Sequence, residues 1–396
     1  MRSRIPQAIW ALGLVSLFMD VSSEMIHGLL PIFLVGTLGA SALALGLIEG
    51  IAEAIASILK LPSGWLSDHW RKRKALALAG YGLAAVVKPI FALAPTVAWA
   101  FTARSLDRLG KGIRGAPRDA LVADLVAPEL HGAAFGLRQA LDTVGAFAGP
   151  LIAVAAMALS GNNIRLVFWL AVPPAFISVL LLWVLVPEPD PPATSIAPKP
   201  TARERYLGLA HLGAPFWGTI TITLVFTLGR YSEAFLILRA QDQGLPATFA
   251  PLVLVMMNIV YSVAAYPAGQ WSDRVGRRGL LLAAALFMAA ADALLAAAHG
   301  LPMVAAGVAL WGLHMAFSQG VLTALIADVA PPDRRGTAFG VFHLTSGLAL
   351  LAASAGSGLL WTDYGPTTAF LTGFALALSS AALILLSSRR VPQQAR

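Results

Sequence analysis

Charged residues occupy only 12% of the 396 positions, and cysteine is absent altogether. A soluble domain carries about twice that share of charge. Without cysteine there are no disulfides and no thiolate metal sites. With so little charge, a water-soluble fold of this length has too few polar groups to cover a composition that is 58% hydrophobic. A bilayer resolves the conflict, because roughly 20 apolar residues cross its core of about 30 Å as one helix. The chain also lacks a small-residue cleavage site before Asp20, so the start MRSRIPQAIWALGLVSLFMD reads as an uncleaved first span rather than a signal peptide. Equally missing are a compelling nucleophile and base, a wider cluster of metal ligands, and a sizeable polar domain. These absences argue against an enzyme or a transporter-like sensor.

Apolar runs broken by Gly, Pro or charge predict helices near 8–37, 42–66, 75–94, 97–126, 131–160 and 164–186. Six more are predicted near 212–240, 247–270, 279–299, 301–329, 335–360 and 366–388. Between the sets lies the polar, proline-rich VPEPDPPATSIAPKPTARER. The expected organisation is an all-α membrane protein of 12 transmembrane helices, with an N-terminal six-helix bundle at 1–186, a linker at 187–211 and a C-terminal six-helix bundle at 212–396.

The net charge of +8 invites a nucleic-acid reading, but its distribution points elsewhere. Arg2, Arg4, Arg71 to Lys74, Lys199, Arg203, Arg205, Arg274, Arg277, Arg278, Arg334, Arg335, Arg389 and Arg390 all fall in loops or termini on one side. The opposite loops hold little beyond Arg165, Arg239, Asp242 and Asp363. By the positive-inside rule both termini are then cytoplasmic, in the inner (plasma) membrane. The basic balance reflects topology, and no nucleic-acid partner is expected.

Internal repetition is the strongest signal. GWLSDHWRKRKALALAG (64–80) recurs as GQWSDRVGRRGLLLAAA (269–285), and ALVADLVAPELHGAAFG (120–136) as ALIADVAPPDRRGTAFG (324–340). Both matches are offset by 204 or 205 positions, so the halves are homologous. Sliding the charged stretch RSLDRLGKGIRGAPRDA (104–120) forward by 204 lands on the apolar VALWGLHMAFSQGVLTA (308–324). The charged stretch is therefore predicted to be a membrane helix. Its Arg104, Asp107, Arg108, Lys111, Arg114 and Arg118 step by three and four along one face. LGKGIRG lacks the spacing of a phosphate-binding loop.

With six plus six helices and paired signatures, the chain resembles the major facilitator superfamily of secondary transporters, in its proton-coupled drug and metabolite exporter branch. The family's loop signature G-x-x-x-D-R-x-G-R-R is matched by Gly269, Asp273, Arg274, Gly276, Arg277 and Arg278. In the first half Gly64, Asp68, Lys72 and Arg73 fit, while His69 and Arg71 depart from it, which questions the tight turn there. Arg104 matches an arginine common in the family's fourth helix. Gly145, Gly149 and Pro150 resemble a fifth-helix G-x-x-x-G-P signature of exporters, although Ala153 and Val154 stand where it usually ends in Gly-Gly. The resemblance implies two bundles rocking about a central site. It also implies no cofactor beyond a proton gradient, a small-molecule substrate, protons and lipid as partners, and a monomer.

Ionisable groups at membrane depth are functional candidates by default. Asp20, Glu24 and His27 share a face of the first helix, and Glu49, Glu53 and Lys60 a face of the second. Arg138 and Asp142 are one turn apart on the fifth, read as a structural pair with a coupling role left open. In the second half only Arg230, Glu233, Asp292, His314 and His343 qualify, the histidines as packing residues. Asp68 and Asp273, with the cations that trail them, read as gate-latching salt bridges. The cavity candidates are thus Asp20, Glu24, Glu49, Arg104, Asp107, Arg108, Lys111, Asp142, Arg230 and Glu233, with Asp20 or Glu24 expected to pair with Arg104 or Arg108. The expected activity is proton-coupled antiport exporting a small molecule or drug, with the cations of the fourth helix favouring an anionic or zwitterionic one. Alternatives are a symporter importing an organic anion and, through Asp20, Glu24 and His27, a divalent-metal transporter.

Overall fold

The computed structural model describes residues 6–70, 72–127, 130–188, 212–330 and 335–388, and among these there is no strand. The first half contains α1 (Gln7–His27), α2 (Ala42–Trp70), α3 (Arg73–Leu93), α4 (Val97–Asp124), α5 (His131–Leu159) and α6 (Ile164–Leu185). In the second, α7 comprises two pieces, Gly213–Leu228 and Ala234–Asp242. It is followed by α8 (Leu252–Val275), α9 (Arg277–Ala296), α10 (Leu301–Val329), α11 (Arg335–Tyr364) and α12 (Pro366–Ser388). Ten of the helical stretches are long and apolar enough to cross a membrane. The exceptions are α4, which carries the charged stripe, and α7, whose apolar first piece is too short.

Local chemistry sets the ends and breaks. Thr96 caps α4 by accepting from the Trp99 amide, and Asn163 caps α6 by accepting from the Leu166 amide at 3.1 Å. After α1 the chain turns at Gly28 and continues through Leu30–Ile32 into a π-turn at Phe33–Thr37, where the Leu38 amide reaches back to the Phe33 carbonyl at 2.9 Å. Helix α6 is interrupted at Ala171, just before Pro173 and Pro174.

The two copies of the loop signature solve the same turn differently. Between α8 and α9 a single residue, Gly276 at φ +79°, makes the connection, and that backbone region is open to glycine. Between α2 and α3 there are two residues, of which Lys72 takes an ordinary φ of −116°. The extra residue substitutes for the missing glycine and shifts the offset of the repeat from 205 to 204. Arg73 consequently corresponds to Arg277, not to Arg278 as aligning the motif letters suggests. Ion pairs fix this register: Arg73 Nε meets Asp124 Oδ2 at 2.9 Å, and Arg277 pairs with Asp328, both partners 204 positions further along.

Two compact units emerge, and they cross the sequence halves at two places. Of the described residues, one contains those within 6–41, 51–188 and 240–255; the other contains those within 42–50, 212–239 and 256–388. In the first, α1 packs on α5 and α6, and α3 on α4 and α6; in the second, α7 packs on α11 and α12, and α9 on α10 and α12. The neighbours recur, as a structural repeat demands. Ala42–Gly50, the first turns of α2, belong with the second unit, where the Leu43 amide donates to Thr362 Oγ1 at 3.1 Å. Thr248 belongs with the first, where it hydrogen-bonds Asn162.

Arg165 and Arg239, expected as loop charges, instead lie on helices and cap others. Arg165 donates to the carbonyls of Ala92 and Ala94 at the end of α3, both at 2.8 Å. Arg239 donates to those of Leu295, Ala296 and Ala298 at the end of α9. Ala92 and Ala94 correspond to Ala296 and Ala298 in the repeat, so equivalent helix ends receive the same cation from different spans. A cation at a helix C-terminus is stabilising by about 0.3–1 kcal/mol, and by more when buried.

Candidate functional site

The interior of the first unit is built around α4. Its glycines allow close approach: a Cβ on Gly110 would come within 2.7 Å of the Gly80 carbonyl on α3, and one on Gly112 within 2.7 Å of Leu59 Cβ on α2. LGKGIRG is therefore a packing surface on both sides, and it brings the charged stripe against its neighbours. Arg104, Asp107, Arg108 and Arg114 are buried, Arg118 is half-buried and Lys111 is exposed.

Most of these charges are committed. Lys88, on α3 and only 1% exposed, places Nζ 2.8 Å from Asp107 Oδ1 and donates to Ser23 Oγ of α1 at 3.0 Å. Arg108 Nε lies 3.3 Å from Glu53 Oε1 on α2. Arg114 stacks its guanidinium 4.7 Å over the Tyr81 ring. Arg118 pairs with Asp119 at 3.1 Å and reaches Ser16 Oγ. On α5, Arg138 Nη1 bonds Asp142 at 2.8 Å, the structural pair expected, with Asp119 also within 3.9 Å.

Helix α1 brings two acids to this interior because α5 lets it approach. A Cβ on Gly145 would lie 2.6 Å from the Leu17 carbonyl and 2.9 Å from Asp20 Cβ; one on Gly149 would lie 2.7 Å from the Val21 carbonyl and 2.9 Å from Glu24 Cβ. The spacing of the two glycines thus matches the spacing of the two acids, and Pro150 is buried inside α5 just beyond. Glu24 lies 3.4 Å from His27 Nδ1. Asp20 is half-buried and makes no hydrogen bond or ion pair among the described residues, and neither does Lys111. They are an accessible, uncommitted pair of opposite sign.

Other expected positions divide. Glu49 is buried on α2, one turn before Glu53, in the piece of that helix grouped with the second unit. Arg230 and Glu233 lie 3.8 Å apart in the break of α7. Gly64 faces Ala116, where an added Cβ would come to 3.3 Å. Arg73 and Arg277 hold the bridges to Asp124 and Asp328. Asp68, Gly269, Asp273 and Arg274 lie outside the residues whose side chains are described. No cluster of His, Asp and Glu able to hold a metal occurs among the described residues.

The same layout without the cations recurs in the second unit. Buried Asp292 on α9 stands where Lys88 stands on α3, and Trp311 on α10 where Asp107 stands on α4. Asp292 Oδ1 accepts from the Tyr231 hydroxyl of α7 at 2.6 Å.

A twelve-helix repeat with a charged first half matches a known pattern. The sequence profile of the Major Facilitator Superfamily covers residues 12–238 and 234–396. The chain belongs to this superfamily. It is 32% identical over 383 residues to an uncharacterized MFS-type transporter of Methanocaldococcus jannaschii, covering 95% of this chain and 94% of that one. It is 27% identical over 347 residues to the multidrug resistance protein MdtH of Photorhabdus laumondii, covering 84% and 81%. A crystal structure of a POT family transporter in complex with 5-aminolevulinic acid aligns with a TM-score of 0.82 over 97% of this chain and 96% of that one, at 13% identity. The protein is an all-α, multi-pass membrane transporter of the MFS fold and is not an enzyme.

Lys88 was not among the residues picked from sequence. Its signal is one cation in the apolar run LAAVVKPIFAL; a single charge has no periodicity, and only its depth in a span marks it.

Proposed function

We propose that this transporter is a proton-coupled antiporter that exports a small zwitterionic molecule from the cytoplasm, with both its termini on the cytoplasmic face of the plasma membrane. The observation that carries the reading is the uncommitted pair Asp20 and Lys111 beside charges already spent on one another. A substrate carboxylate is drawn to Lys111, and a substrate ammonium to Asp20. A proton competes with that ammonium for the same carboxylate, and mutually exclusive occupancy is what exchange requires. The charges acting on Asp20 are, in order of strength, Asp142 from α5, Arg114 from α4, its own helix neighbour Glu24 and Lys111 from α4. Proton loading of Asp20 thus answers to three helices, so their rearrangement changes its occupancy. The similarity to a multidrug resistance protein supports export.

The test is flux in proteoliposomes under an imposed pH gradient, across a panel of anionic, zwitterionic and cationic compounds. Counterflow of protons and a zwitterion is expected. Asp20→Asn should remove the response to the gradient and raise KM for substrates that carry an ammonium group, leaving only slow gradient-independent exchange. Lys111→Gln should raise KM for substrates that carry a carboxylate and leave their methyl esters unaffected. Protons moving in the same direction as an organic anion would replace this reading with symport.

A further inference from the structure

The proposed function places proton exchange in the first unit and leaves the buried acid of the second unused. Asp292 is 0% exposed. The groups that face it come from α7, α10 and α12. From α7, Tyr231 donates to Oδ1; from α12, Gly373 packs so closely that a Cβ there would lie 2.6 Å from Oδ2. Aromatic rings surround the phenol: Trp311 lies 5.0 Å and Phe235 and Phe370 lie 5.7 Å from the Tyr231 ring. Among the described residues no donor reaches Oδ2 and no cation pairs with the carboxyl group.

The other charged and titratable groups on these elements are occupied or remote. Arg230 faces Glu233, and Arg239 is held by the carbonyls at the end of α9. His314 on α10 is buried against Phe226 and Trp311, at 5.5 and 5.4 Å, and its ring nitrogens make no hydrogen bond among the described residues. The described part of α12 carries no charged side chain. The contrast with the first unit is informative. There, the equivalent position holds Lys88, compensated by Asp107 and Ser23; here, the acid has one phenol, itself packed among rings.

We infer that Asp292 and Tyr231 form a second proton-binding site, in the C-terminal unit, filled in the packing seen here and opened to exchange when α9, α10 and α12 separate. A bare carboxylate sealed among these groups lacks a compensating partner. A neutral carboxylic acid fits, with Oδ1 accepting from Tyr231 and Oδ2 bearing the proton. On the α12 side Gly373 lies so close that not even a methyl group fits beside Oδ2. The proton of this site is separate from the one assigned to Asp20, and its detection needs no substrate.

Infrared difference spectra of the purified full-length protein at neutral pH test the inference. The wild type should show a protonated-carboxyl C=O band that is lost in Asp292→Asn and moves to higher frequency in Tyr231→Phe, which removes the hydrogen bond but keeps the acid. In D2O the band should shift to lower frequency as the proton exchanges. A spectrum unchanged by Asp292→Asn would show an ionised group and overturn the site. If that variant does not fold, a band unmoved in Tyr231→Phe does the same. A band that never shifts in D2O would leave a structural acid and end its role as a proton store. Because the readout is spectroscopic, it stands or falls independently of whether Asp20 couples transport.

Discussion

Lys88 and Asp107 are a cation and an acid that are both nearly inaccessible, 2.8 Å apart, with Ser23 as the further partner of the ammonium among the described residues. Removing one member of such a pair strands the other, at a cost of about 3–5 kcal/mol, whereas replacing both by apolar groups of similar volume is often neutral. Asp107→Asn should therefore lower the detergent melting temperature far more than the double change Lys88→Met with Asp107→Leu. If both proteins melt alike, the pair is not the desolvated unit described here. The same residues explain what could be read from sequence. The α4 charges were legible because six of them keep helical spacing through an apolar context. Lys88 and Asp292 are single charges, and their partners, Asp107 and Tyr231, come from other helices. Long-range pairing of that kind leaves no periodic trace. The commitment of Arg108 to Glu53 was hidden for the same reason, since spacing offered Asp20 and Glu24 equally well.

Among elements, the α1–α5 contact translates a glycine pattern into the position of two acids. Gly149→Val would drive a Cβ against the Val21 carbonyl and the Met25 amide, backbone atoms that cannot yield as a side-chain tip can. Overpacking of this sort costs about 1–3 kcal/mol, and it should move Asp20 and Glu24 away from α4, so transport is expected to fall further than the amount of folded protein. Gly136→Ala on the same helix meets nothing within 4 Å and serves as the control, with both quantities unchanged. Equal losses in the two variants would refute the packing role. The connections between helices allow a second test. Gly276→Arg forces a side chain into a backbone region entered essentially only by glycine, φ +79° with ψ 154°, at a cost of about 1–3 kcal/mol, and inserting one residue beside it should restore stability by reproducing the two-residue turn before α3. Helix positions were legible from hydropathy to within a few residues, but this turn was not, because the repeat slips by one residue where the glycine is lost.

At the scale of the whole molecule, the halves share a skeleton and differ in what fills it. Arg73 with Asp124 and Arg277 with Asp328 occupy equivalent places, joining the start of one span to the end of the next. Duplication in the sequence predicted that equivalent residues exist; which residues touch came only from the fold, because the bridges join the loop signature to the second repeated stretch rather than lying within either. Asp328 is about half exposed and Arg277 more than a third, so solvent screens their attraction. Such bridges contribute about 0–1 kcal/mol to stability, which leaves a role in transport to be tested. Asp328→Asn should accordingly leave the melting temperature nearly unchanged and alter the rate of transport, and the charge exchange Arg277→Asp with Asp328→Arg should recover most of that rate. A large fall in melting temperature with normal flux would assign the bridge to folding instead. The equivalent exchange at Arg73 and Asp124, which are less exposed, should behave in the same way with a larger stability component, and the difference between the two experiments measures how far burial alone separates otherwise equivalent joints.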